Sequence, residues 1–227
     1  MRQFAIIGLG TFGFKLATSL AEMGCQVLAI DNDRDRVQDI RDLVTEAAVL
    51  DATDKAAMGS LDLAELDIVV VCVGQLDASV LITLYLKEAG VREIVVKALN
   101  SDHVKILQLL GASRIVLPEE EMAARLAGSL VTPNIIDHIP LTPGHSIVEI
   151  RAPESFIGKT IGELDIRRKY KVEVVALKKY LTSKLDGKES LDESKTRVIP
   201  SASEVISIGD ALVVIGKNED IEKIQGL

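Results

Sequence analysis

Six short apolar runs, at residues 3–8, 26–31, 47–51, 67–73, 93–98 and 114–117, alternate with six helix-sized stretches at 12–23, 33–43, 55–60, 78–89, 101–110 and 119–130. The runs are apolar at successive positions, the pattern of parallel strands buried on both faces between helices. A strand that rejoins its own sheet by way of a covering helix does so through a right-handed crossover. The repeated βα order therefore predicts a doubly wound, Rossmann-like parallel sheet of the α/β class. Its core must be aliphatic, since aromatic residues make up 3 % of the chain and Trp is absent.

The pattern changes at TPNIIDHIPLTPGHS, where Pro133, Pro140 and Pro143 are expected to break any regular element. Residues 135–145 read as a connector between a domain at 1–134 and a second, smaller α+β domain at 146–227. In the latter, strands are expected at 146–151, 172–178, 197–200 and 211–216, with a helical stretch at 161–170 and a closing helix at 219–225. The polar stretch TSKLDGKESLDESK reads as a mobile hairpin or loop. The apolar face of Ile157, Ile161, Leu164 and Ile166 reads as the core of a dimer contact.

The formal net charge is -8, and nearly all of it falls in the first 134 residues. Nucleic acid is excluded as an expected partner, because a phosphate backbone is held by a basic surface. Cys25 and Cys72 lack the paired spacing of a metal site or disulfide framework, which suits a reducing cytoplasm. No apolar stretch approaches the roughly 20 residues that span a bilayer, and the amino terminus reads as mature sequence.

The first chemical motif is Gly8-Leu9-Gly10-Thr11-Phe12-Gly13, a GxGxxG leaving the first strand and opening the first helix. Gly8 permits the tight turn, Gly10 admits a phosphate to the backbone, and Gly13 lets helix and strand approach. The N–H groups and positive dipole end of the helix then bind phosphate. Asp31 falls 18 residues after Gly13, at the end of the second strand, where a carboxylate accepts ribose hydroxyls and disfavours a 2'-phosphate. Asn32 and Asp33 follow it, Asp33 also standing where a helix N-cap belongs. Asp51, Ala52 and Thr53 occupy the adenine-pocket position after the third strand, with Thr53 or Asp54 as alternative N-caps. Gly74 and Lys97 end the fourth and fifth strands on the carboxyl edge, where open α/β sheets bind ligands. Lys97 is either a phosphate contact or a solvated charge.

Catalytic material is sparse. The histidines are His103, His138 and His145, and no Ser/His/Asp arrangement, HExxH, CxxC or Walker A loop is present. A nucleotide that is sensed rather than consumed fits this best. A nicotinamide-dependent oxidoreductase and a scaffold with a vestigial site are the rival readings.

The segments FAIIGLGTFGFKLATSLAEMG, VLAIDND, LDATD, VVVCVG, IVVKALN and GASRIVLPEEEMA together resemble the RCK domain, also called KTN or TrkA-N. IGKTIGELDIRRKYKVEVVALKK and GDALVVIG are similar to the TrkA-C domain that usually follows. The resemblance implies a cytoplasmic regulatory subunit of a Ktr or Trk potassium-transport system, peripheral at the inner membrane face through its transporter. It implies dimers and an octameric ring whose shape follows the bound adenine nucleotide, ATP/ADP or NAD/NADH. It places phosphate contacts at Gly8 to Gly13, ribose contacts at Asp31, adenine contacts at Asp51 to Thr53, and supporting roles at Gly74 and Lys97. Glu119 matches a glutamate that helps hold a divalent cation at the dimer interface; as first-turn carboxylates, Glu119, Glu120 and Glu121 would also stabilise a helix start. The family typically carries Arg at the position of Thr11, and a neutral hydroxyl does not replace that charge-assisted contact. In the second domain, Arg167, Arg168, Lys169 and Lys171 are either a solvated helix end or, as in some relatives, part of a cyclic di-AMP site.

Overall fold

The computed structural model describes residues 1–131, 135–185 and 188–225. The chain divides into two compact units, Met1–Pro118 and Glu119–Leu227.

The first unit runs β1 (Gln3–Ile7), α1 (Thr11–Glu22), β2 (Gln26–Asp31), α2 (Arg34–Ile40), β3 (Glu46–Val49), α3 (Lys55–Gly59), β4 (Ile68–Val71), α4 (Leu76–Glu88), β5 (Ile94–Lys97), α5 (Ser101–Leu110) and β6 (Arg114–Val116). Its strands form one sheet in the order β3-β2-β1-β4-β5-β6, every pair parallel. The expected doubly wound sheet is thus observed. Successive residues of a strand face opposite sides, and here both sides are covered. Phe4 and Ile6 of β1 pack with Val27, Ala29, Val70, Ala17 of α1 and Val37 and Ile40 of α2. Ala5 and Ile7 face the other way, toward Val69, Val71, Val96, Ile82 and Leu86 of α4 and Leu107 of α5. Each fully buried aliphatic side chain contributes roughly 1.5–3 kcal/mol, so two such layers hold the sheet edge rigidly. The strand order reverses between β1 and β4, the point at which an open sheet forms a crevice.

The second unit contains α6 (Pro118–Val131) almost entirely, then β7 (Ile135–Thr142), β8 (His145–Arg151), α7 (Ile161–Leu164), α8 (Ile166–Tyr170), β9 (Glu173–Leu185), β10 (Lys188–Val198), β11 (Ala211–Lys217) and α9 (Asn218–Gln225). These strands form an antiparallel sheet ordered β10-β9-β11-β8-β7. Val148, Ile150, Phe156, Leu177, Ile206, Leu212 and Val214 fill the core, closed by Ile221 and Ile224 of α9.

Several expectations for this unit are corrected. The stretch at 135–145 is not an irregular connector but strand β7 and a turn through Pro143 and Gly144. β7 is an edge strand, and its register shifts between Pro140 and Thr142, a place where the missing proline N–H removes no ladder bond. Pro133 lies outside the described residues. The polar stretch, expected as a hairpin or loop, is a hairpin: it extends β9 and β10 as an antiparallel pair, with residues 186–187 outside the described ones. The helical stretch at 161–170 is two short turns, because Asp165 takes a left-handed conformation (φ 46°) between α7 and α8. Leu164 and Ile166 are buried in the unit's own core, with Ile157 and Ile161 partly buried against it.

Candidate functional site

At the end of β1, Gly8 turns the chain with φ +96°, and a Cβ there would stand 2.9 Å from the Val73 amide nitrogen of the neighbouring β4–α4 loop. A Cβ on Gly13 would lie 1.9 Å from the Gly8 carbonyl oxygen, a separation no side chain tolerates. Gly10 differs from both. It has ordinary backbone angles, and nothing lies within 4 Å of where its Cβ would be.

Gly10 is the N-cap of α1, and no side chain caps that helix. Three other helix starts in the unit are closed. Asp33 accepts from the Asp35 and Arg36 amides, Asp54 from those of Ala56 and Ala57, and Asn100 from that of His103. The first intrahelical bond of α1 is Phe14 N–H to the Gly10 carbonyl (2.9 Å), which leaves the Thr11, Phe12 and Gly13 amides ahead of it. Capping is the role observed for Asp33, and Asp54, not Thr53, caps α3.

Asp31 is 6 % exposed, and its carboxylate is a clamp. Oδ2 accepts the Leu9 N–H at 2.5 Å and Oδ1 the Asp33 N–H at 2.9 Å, tying the glycine loop to the end of β2. A carboxylate has about four acceptor positions, so lone pairs remain for a ribose hydroxyl. Arg36, which sequence reasoning missed, lays its guanidinium 3.6 Å from Asp31 Oδ2 and 3.4 Å from Asp33 Oδ2. The available signal was its place five and three residues beyond those carboxylates on a helix start. Asn32 is exposed beside them.

The Leu50 amide donates to the Asp31 carbonyl at 2.9 Å, which brings the next loop alongside. There the Thr53 hydroxyl and amide both donate to Asp51 Oδ1, at 2.6 and 2.9 Å, and hold the Asp51 carboxyl below its ordinary range. Ala52 turns its methyl into the core and offers the surface only backbone.

Gly74 is exposed beyond β4, on the other side of the crevice. Lys97 ends β5, and its Nζ lies 5.7 Å from the Phe12 ring centroid, over the first turn of α1. Beneath them Cys72 is buried; burial pushes its thiol up to about 12, against a smaller opposing pull from Lys97. Thr11 is exposed at the helix start. The structure thus gathers the glycine loop, Asp31, Asp51 to Thr53, Gly74 and Lys97 along one sheet edge.

Other candidates lie elsewhere. His103 is fully buried, accepts the Leu99 N–H at Nδ1 (3.2 Å), and is held below its ordinary pKa by burial. His138 is bonded to Ser146 Oγ (2.7 Å), whose hydroxyl donates to Asn218 Oδ1 (2.8 Å). With its hydrogen directed at the Asn218 amide oxygen, that hydroxyl is an acceptor toward the His138 ring, the opposite of an activated nucleophile. Glu119 stands in the first turn of α6 with Glu120 and Glu121, and among the described residues no group of three or more His, Cys, Asp or Glu could hold a metal ion. Arg167 pairs with Glu173 at 3.1 Å and Arg168 with Asp165 at 2.7 Å, both largely exposed. A cleft of about 390 Å³, lined by Lys55, Met58, Leu61, Leu63, Tyr85 and Glu88 among others, shares no residue with the glycine loop.

The TrkA-N domain family model matches residues 4–118 and the TrkA-C domain model residues 145–227. Ktr system potassium uptake protein C of Bacillus subtilis is 41 % identical over 225 residues, 99 % of this chain and 96 % of that protein. Ktr system potassium uptake protein A of the same organism is 35 % identical over the same shares, and that of Vibrio alginolyticus 32 % identical over 97 % and 94 %. Among solved structures, the GsuK channel superposes with a TM-score of 0.67 at 18 % identity, over 97 % of this chain. This chain spans 38 % of that channel's length, and the likeness is one of fold. No helix among the described residues is long and apolar enough to cross a membrane.

Proposed function

The chain belongs to the TrkA-N/TrkA-C family of potassium-uptake proteins, and we propose that it is the nucleotide-sensing regulatory subunit of a membrane potassium transporter. The ligand is an adenine nucleotide, ADP or ATP, or NAD(H), held at the β1–β4 crevice. Phosphate meets the amides after Gly10, with Gly8, Thr11, Phe12 and Gly13 shaping the cradle. The adenosine ribose meets Asp31, with Asn32 and Asp33 beside it, and the adenine edge meets the backbone of Asp51, Ala52 and Thr53. Gly74 and Lys97 bound the far side. The observation that carries this reading is the open start of α1: a helix capped by glycine, uncharged in its first turn, with nothing within 4 Å of where a Gly10 Cβ would be, whereas side chains close the starts of α2, α3 and α5, and α4, also without a side-chain cap, carries Asp77 in its first turn.

Residues 1–134 bind the nucleotide in this reading, and 146–227, whose sheet strand β7 completes, form a regulatory and dimerisation domain. The subunit acts as a homo-oligomer, a dimer or octameric ring, at the inner membrane face, docked on the transporter. A ligand controls ion flux only by binding two shapes of that assembly with different affinity. Glu119 takes part in a divalent-cation site only where a second chain supplies further ligands. The exposed pairs of Arg167 and Arg168 mark a solvated helix end, and cyclic di-AMP is the competing assignment to test.

A thermal-shift panel of ATP, ADP, AMP, NAD, NADH and cyclic di-AMP tests the reading, since a ligand that prefers the native state raises its stability. Gly10→Asp is the decisive variant. Aspartate is a slightly better N-cap than glycine, so the unliganded protein should gain about a few tenths of a kcal/mol. Its carboxylate would occupy the phosphate position, and nucleotide stabilisation should vanish. Undiminished nucleotide affinity in this variant would remove the site from the glycine loop.

A further inference from the structure

We propose that His103 is an acid-sensitive latch on the carboxyl edge of the parallel sheet: as a neutral imidazole it ties the β5–α5 loop to the start of α5, and on taking up one proton it releases that loop. Asn100 is the N-cap of α5, and its Oδ1 accepts the His103 N–H at 2.9 Å. His103 is the third residue of that helix, and its Nδ1 reaches back to accept the Leu99 N–H at 3.2 Å. The two bonds are reciprocal. This is the logic of a capping box, in which the returning acceptor is ordinarily Glu or Gln. Here it is a ring nitrogen that stops accepting once protonated.

The surroundings suit the neutral form alone. With Nδ1 accepting, the ring hydrogen sits on Nε2, which has no hydrogen-bond partner. Ser79 Oγ, on the buried face of the α4 helix that packs against α5, has none either. His103 is fully enclosed, and burial, with no charged group among the causes, holds its pKa below the ordinary value. On α5 itself, Asp102 and Lys105 pair with each other at 2.8 Å, both exposed. The buried face of α4 is Ser79, Ile82, Thr83 and Leu86; Asp77, Lys87 and Glu88 are exposed, and Tyr85 lies under the Lys55 ammonium. The charged residues of β5 and β6, Lys97 and Arg114, are cations, and the positive end of α5 opposes a further positive charge. A proton taken up at Nδ1 therefore breaks the Leu99 bond and leaves a buried imidazolium without an anion, a state relieved when the ring turns out to water. The loop it frees begins at Ala98, immediately after β5, on the sheet edge that carries the glycine loop. Because the folded pKa is depressed, the latch stabilises above the ordinary histidine value of about 6.5 and is lost as pH falls through the folded value.

Hydrogen–deuterium exchange of the full chain, read by mass spectrometry at about pH 7.5 and about pH 5.5 and corrected for the intrinsic exchange rate, tests this. One pH unit below its ordinary pKa a free histidine is protonated about ten to one, so protection of residues 98–103 should fall about tenfold between the two conditions. His103→Gln keeps a returning acceptor that does not titrate, and its protection should change by less than about twofold. A wild-type change of less than about twofold, or an equal fall in His103→Gln, would overturn the proposal. A fall of the same size in β1 and β4 would place the opening in the whole unit and overturn it as well. Should His103→Gln fail to fold, exchange at the C2 carbon of each imidazole in the wild type serves, since it follows that ring's protonation. His103 should then titrate at lower pH than the exposed His145, and an equal or higher midpoint overturns the latch.

Discussion

The two units of the chain satisfy their polar groups in opposite ways. In the second, polar side chains close on one another: Lys179 bonds Asp210 at 3.2 Å, Lys178 bonds Glu149 at 2.8 Å, and His138, Ser146 and Asn218 form a chain. The start of α7 carries a full capping box, Thr160 with Glu163. In the first, the sheet edge is held firmly from behind, by Asp31 on the Leu9 amide, and the helix it presents is left open in front. A parallel sheet with both faces buried can spend one helix start on a ligand. In the antiparallel sheet, polar groups such as Glu149, Lys178 and Lys179 are already paired within the unit.

Gly13→Ala is the harshest test of that contrast. The new Cβ would overlap a backbone oxygen 1.9 Å away, which forces α1 off β1, and a loss of about 4 kcal/mol or more is expected in denaturant unfolding. Gly10→Ala, three residues earlier in the same motif, meets nothing within 4 Å and should change stability by no more than about 0.5 kcal/mol. If the two substitutions prove equally costly, the loop is not the shaped cradle described above.

Two buried aspartates sharpen the comparison further. Asp31 is 6 % exposed and accepts two backbone amides; Asp210 is 3 % exposed and accepts the Ser207 amide and the Lys179 ammonium on Oδ2. Replacing either by Ala strands two donors, for a loss of about 2 kcal/mol in each case. Only Asp31→Ala should also weaken thermal stabilisation by nucleotide. Equal weakening by Asp210→Ala would mean that the second unit takes part in binding.

Much of the first unit was legible in the sequence because its signals are local. Runs such as Ile68 to Val71, apolar at every position, leave a strand few places but the middle of a parallel sheet, and Asp33 stands immediately before the helix it caps. The clamp made by Asp31 was not legible, since a ribose-binding carboxylate and a loop-holding one occupy the same position, and only the 2.5 Å contact to Leu9 shows that it holds the loop. The second unit was read less well because its decisive facts are non-local. Pro140 is tolerated only because β7 falls at the edge of the sheet, a matter of strand order rather than of sequence. The polar arms of β9 and β10 pair with each other where no apolar face announces a strand.

The smallest expected effect concerns the tie between α6 and β7. Arg125 grips Asp137 with two hydrogen bonds, Nε to Oδ1 at 2.7 Å and Nη2 to Oδ2, while the His138 amide donates to the same Oδ1 at 2.8 Å. The Arg125 hydrogen bond, more than any other influence, holds the Asp137 carboxyl below its ordinary range. A group whose folded pKa is depressed stabilises the protein above its unfolded value, about 3.9 for Asp, and that contribution is lost as pH falls through the folded value. Solvent screens this half-exposed pair, so the acid-side decline it adds is slight. Arg125→Gln should leave stability at neutral pH little changed and shallow the decline below about pH 4. The nucleotide-induced shift should be untouched, because no residue of this pair belongs to the glycine-loop edge. A variant whose acid limb matches the wild type would show that the grip on Asp137 adds nothing to stability, and a changed nucleotide shift would tie α6 to the sensing site.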